Sequence, residues 1–135
     1  MKTLLIYSFF SFSIFAGAFP PCLEATTQCT EALPTSKSEN LTLYRTHSLS
    51  MIHPEIDQIV VVVHGILRNA DHYFKSVVTS AVATKVTAHT AIFAPNFKTA
   101  DDAHSPDELL WDGGAWKDGD NAVAPVSYTH LRAHE

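Results

Sequence analysis

The sequence predicts an α/β domain with a mostly parallel sheet, and three stretches carry that expectation. Residues 59–63 form an unbroken β-branched run, residues 70–83 repeat apolar side chains at helical spacing, and residues 90–94 form a second short apolar run closed by Pro95 and Asn96. Strand, helix and strand in this order make a β-α-β unit, whose crossover is right-handed when the strands are parallel.

Each element has its own reason. Ile59, Val60, Val61, Val62 and Val63 show no polar alternation, the pattern of a strand buried on both faces of a parallel sheet. A helix is disfavoured there because successive β-branched residues lose side-chain freedom against the preceding turn. The run ends at His64 and Gly65, and Asn69 or Asp71 supplies a capping oxygen for the helix that follows. Within residues 70–83, Tyr73, Phe74, Val77, Val78, Ala81 and Val82 share one face. Upstream, Leu41, Leu43 and Arg45 alternate with Thr42, Tyr44 and Thr46, which suits a short edge strand, and Pro54 interrupts before the β-branched run.

The chain has 135 residues, 46% of them hydrophobic, enough for one domain. Part of that hydrophobicity belongs to the N-terminus. Lys2 precedes an apolar core from Leu4 to Phe15, and Ala16, Gly17 and Ala18 follow, so residues 1–18 read as a secretory signal peptide cleaved after Ala18. The run is short and serine-bearing for a membrane anchor. Secretion is therefore expected, with no membrane association after cleavage. Loss of Lys2 leaves eight of the nine basic residues against all 14 acidic ones. That balance, without clustered Lys or Arg, excludes a nucleic-acid partner.

Residues 19–40 read as an irregular leader rich in Pro, Thr, Ser and Glu. In an oxidising compartment Cys22 and Cys29 are expected to form a disulfide that closes a small loop and tethers the terminus rather than the core. Their spacing is too long for a redox pair, and no second pair makes a zinc site. Asn40-Leu41-Thr42 is a glycosylation sequon at Asn40.

Residues 98–123 differ in kind. Seven acidic residues, Gly113, Gly114 and Gly119 surround Trp111 and Trp116, which predicts a long surface loop with one helical turn at residues 106–110. The tryptophans either pin the loop or line a pocket, and pinning is favoured. A calcium site among these carboxylates is a weaker expectation, since the spacing departs from the usual twelve-residue loop.

Residues 41–124 resemble an exported branch of the α/β-hydrolase superfamily. The resemblance rests on Leu43-Tyr44-Arg45, Val60 to Gly65 with Arg68-Asn69-Ala70 and Tyr73, Ala94-Pro95-Asn96-Phe97, and Asp107-Glu108-Leu109 with Trp111, Gly114, Trp116 and Gly119-Asp120. It implies that residues 41–125 are the N-terminal part of an incomplete hydrolase-type domain and that His64, Gly65 and Ile66 form an oxyanion loop, with the Ile66 N–H as donor. It also implies a parent that hydrolyses a small-molecule or polymer ester without a cofactor or metal. No Gly-x-Ser-x-Gly turn occurs in the chain, so the catalytic nucleophile, acid and base are expected to be absent and the chain itself inactive. Residues 126–135 do not continue the resemblance. They read as a non-native, adaptor-derived tail, which removes His130 and His134 from consideration as ligands. The competing expectation is a secreted, non-catalytic α/β binding domain. A sheet this small is also expected to leave apolar edges uncovered.

Overall fold

The computed structural model describes residues 20–35 and 39–123. The signal-peptide reading of residues 1–18 and the adaptor-derived reading of residues 126–135 lie outside the described residues, as do His130 and His134. Four strands and one long helix form the domain: β1 (Thr30–Pro34), β2 (Asn40–Arg45), β3 (Gln58–Val61), α1 (Ala70–Ala83) and β4 (Thr90–Pro95). The sheet runs in the order β1-β2-β4-β3.

That sheet corrects the mostly parallel one expected from the sequence. β1 pairs antiparallel with β2, β2 pairs antiparallel with β4, and only β3 and β4 are parallel. β1 lies inside the stretch read as an irregular leader. Its register, from Thr30 opposite Tyr44 to Pro34 opposite Asn40, makes a hairpin with β2.

α1 has the bounds that its apolar periodicity predicts, and its buried face carries Ala70, Phe74, Val78 and Ala81. Asn69 occupies the cap position without a side-chain hydrogen bond, so tertiary packing holds this helix more than capping does. Phe74, Val78 and Ala81 meet Ile92 and Ala94 of β4, with Tyr44 and Val62 at the margin. The Tyr44 and Phe74 rings stack at 5.7 Å, and burial, followed by the Asp71 charge, pushes the Tyr44 hydroxyl above its ordinary pKa.

The disulfide joins Cys22 to Cys29. Far from tethering only a terminus, it enters the core: Cys29 is fully buried, and Cys22, Leu23 and Ala25 pack beside it. The Cys22 N–H donates to Thr46 O at 2.8 Å, which ties this loop to the end of β2.

The largest departure concerns β3, which was expected to be buried on both faces. Among the described residues it is an edge strand, exposed along its length. The Gln58 N–H donates to His89 O and the Val62 N–H to Phe93 O. In a parallel ladder, main-chain groups turn to alternate sides, so the amides and carbonyls of Ile59, Val61 and Val63 face the free edge. No helix among the described residues is long and apolar enough to cross a membrane.

Candidate functional site

The chain leaves β3 through Val63, His64 and Gly65, then turns at residues 65–68, where the Arg68 N–H donates to Gly65 O at 3.0 Å. Arg68 has a φ of 53°, a left-handed conformation that is uncommon for a side chain of its size. The strain is supported by an ion pair, because Arg68 Nε donates to Asp102 Oδ2 at 2.6 Å. The same oxygen accepts from the Thr99 N–H at 2.8 Å and from Thr99 Oγ1 at 3.1 Å. Burial alone would raise the Asp102 carboxyl, but Arg68 and the two Thr99 donors outweigh it and hold Asp102 below its ordinary pKa.

His64 is 3% exposed. Its Nε2 accepts the Phe97 N–H at 3.0 Å, so the ring hydrogen is on Nδ1, which donates to Gly65 O at 2.8 Å. With both nitrogens committed, the ring fastens the end of β3 to the segment after β4 and offers neither nitrogen to a substrate. Phe97 and Trp116 flank it at centroid distances of 5.7 and 5.2 Å. Trp111 stands edge-on to Phe97 at 4.9 Å, and its Nε1 donates to Asp120 O. Pinning is thus one role of the tryptophans, while Trp111 also lines a cleft of about 460 Å³ with Ile66, Arg68, Asp101, Asp112 and Val123. The expected helical turn at residues 106–110 is a simple turn, followed by a short 3-10 helix at Ala115–Asp118. Gly119 ends that helix with a φ of 83°, a conformation glycine adopts at little cost.

A β-carbon placed at Gly65 would stand 3.4 Å from the Tyr73 hydroxyl, an ordinary van der Waals contact. Ile66 projects into solvent at the rim of the cleft. Asn40 is engaged from both ends: its N–H donates to Asp107 O at 2.7 Å and its Nδ2 to Asp107 Oδ2 at 2.6 Å. A glycan on Nδ2 would leave that nitrogen one hydrogen with which to keep the second bond.

Pairings missed by the sequence reading include Arg68 with Asp102, Lys98 with the buried Glu108 at 2.9 Å, and His47 with His53. The first is separated by 34 positions in the chain, and no local spacing announces it.

No cluster of nucleophile, histidine and carboxylate forms among the described residues, and no group of three His, Cys, Asp or Glu among them is placed to hold a metal ion. The calcium alternative finds no support. No protein-family model, curated protein or solved structure matches the chain. The α/β-hydrolase resemblance is corrected on these grounds: among the described residues the sheet is mixed, with four strands and one long helix, and no catalytic cluster accompanies it. The serine-hydrolase parent and its ester substrate fall with the resemblance.

Proposed function

We propose that this chain is a non-catalytic α/β binding domain of the secreted compartment and that its working surface is the free edge of β3. The observation that carries this reading is one row of side chains. Ile59, Val61 and Val63 are 69%, 60% and 51% exposed, and their main-chain groups face outward along the unpaired edge. Exposed strand edges invite pairing and are usually blunted by charge, proline or a bulge. Residues 58–63 contain no charged residue and no proline. Ile66 and Leu67 extend the apolar surface past the strand end.

Unpaired amides and carbonyls are best satisfied by another main chain. The partner that fits is an extended polypeptide segment, apolar at alternate positions, added as a fifth strand. The net charge of −5 favours a neutral or basic segment over an acidic one. A signal-like N-terminus and the disulfide support the secreted setting.

The test uses a fluorescein-labelled peptide that alternates valine with threonine between terminal lysines, followed by polarisation. Val61→Lys should weaken binding at least about tenfold, because the charge must be desolvated beside the added strand. The substituted side chain starts in solvent, so the melting temperature should barely move. A peptide N-methylated along its pairing edge should not bind. Equal affinity for the methylated peptide, or for the Val61→Lys chain, would overturn strand addition. Sedimentation showing that the chain dimerises and that Val61→Lys makes it monomeric would replace the foreign segment with a second copy.

A further inference from the structure

The linker between β2 and β3 is organised by two imidazoles that the binding edge does not use. His47 is buried, and its ring stands edge-on to His53 at 5.0 Å and 77°. Thr46 Oγ1 accepts the Ile92 N–H at 2.9 Å, so its own hydrogen is free to go to His47 Nδ1, also at 2.9 Å. This chain of two bonds runs from β4 through Thr46 to the His47 ring. His53 bridges the linker itself, with Nε2 against Ser48 O at 3.1 Å and Nδ1 against the Glu55 carboxylate at 3.3 Å.

The linker then leads directly into the binding edge. His89 Nδ1 donates to Glu55 O at 3.1 Å, and His89 O accepts from the N–H groups of both Asp57 and Gln58. The start of β3 therefore hangs on the same few residues that surround the two rings.

We propose that the buried His47 ring is an acid-released latch, which fixes the β2–β3 linker near neutral pH and frees it, with the start of β3, on acidification; His53, whose two nitrogens both face acceptors and keep their bonds when that ring is protonated, supplies the neighbouring charge that opposes a proton on His47. The proposal rests on the strand-addition reading for its functional consequence, which is weaker binding at the β3 edge in acid.

The geometry makes protonation of His47 unfavourable in the folded chain. A hydrogen on Nδ1 would turn Thr46 Oγ1 into an acceptor from two sides and leave its own hydrogen without a partner, in a residue that is itself buried. A second imidazolium would stand 5.0 Å away. The charged and titratable groups around His47 are His53 and Glu55 of the linker, Arg45 of β2, Glu31 of β1 paired to Arg45, and His89 behind Glu55. Burial first, then His53, with Arg45 adding and Glu55 opposing, places the His47 ring below its ordinary pKa. With the linker opened locally, His47 thus binds a proton that the closed linker resists. The stability contributed by His47 is complete above the ordinary imidazole value of about 6.5 and is lost as pH falls below it toward the lowered folded value.

Hydrogen exchange on the full chain, corrected for intrinsic rates and run without peptide at pH 7.5 and pH 5, tests this. Protection of residues 46–58 should fall at pH 5, while that of α1 stays level. His47→Gln, which keeps an acceptor for Thr46 but cannot become a cation, should remove the fall. Should that variant not fold, His53→Gln leaves the buried ring in place, removes the charge that opposes its proton, and should make the fall smaller. A flat profile in the parent chain, an equal loss in α1, or an unchanged fall in the variants overturns the latch. Because no peptide is present, a failure of strand addition would leave the exchange result intact, and a flat profile beside normal peptide binding would remove the latch alone.

Discussion

Phe74→Ala should destabilise the domain by roughly 3–5 kcal/mol, the range for deleting a fully buried aromatic ring. The ring stacks on Tyr44 and packs among Val78, Ala81, Ile92, Ala94 and the buried Cys29. The ring thus sits where the helix, the two central strands and the disulfide loop share one core. α1 has no side-chain cap of its own, so removing its principal anchor takes away much of what keeps it helical. A loss of that size approaches the whole stability of a small domain, on the order of 5–15 kcal/mol. Urea titration measures the effect as a lower midpoint with an unchanged slope. Tyr73→Ala, one position earlier and 39% exposed, is the control and should cost about 1 kcal/mol or less. Equal losses at the two positions would show that the core is not built on this face of the helix.

The helix was legible for the same reason that Phe74 matters. Apolar side chains at three- and four-residue spacing specify a helix and the side of it that is buried; α1 spans the residues so marked, with Phe74, Val78 and Ala81 buried but Tyr73 and Val82, assigned to the same face, exposed. The β-branched run was legible as a strand but not as an edge. Five apolar residues describe a strand that is able to be buried on both sides. Whether neighbours arrive depends on chain that pairs from far away, and among the described residues β4 alone does so. β1 escaped notice because Thr30, Glu31, Ala32, Leu33 and Pro34 alternate weakly, and the pairing that defines them comes from β2. The antiparallel entry of β2 beside β4 is likewise a long-range choice with no local mark. At the site, a structural role for His64 could be anticipated from its place after a strand. The partners that hold it and Arg68, namely the Phe97 N–H and Asp102, are supplied by the fold.

The disulfide is where local reading and packing diverge most, and its removal is the second large effect expected. Closing so short a loop restricts the unfolded chain by about 2.5 kcal/mol on the chain-entropy relation. If the bridge only tethered a terminus, that figure would be an upper bound, since the native loop could fray at little further cost. Cys29 instead sits in the core beside Phe74, and the Cys22 N–H is bonded to Thr46 O next to His47. Cys22→Ala with Cys29→Ala avoids placing a hydroxyl in that core. The pair should lower the melting temperature by roughly 10–20 °C, taking about 4–8 °C per kcal/mol for a domain of this size. Loosening should spread from the bridge to Thr46, so exchange at residues 46–58 should rise in the variant even at pH 7.5, where the histidine latch is closed. A drop of only a few degrees, with exchange in the linker unchanged, would return the bridge to the terminal role that its sequence position suggests. It would also detach the disulfide from the segment that leads into β3.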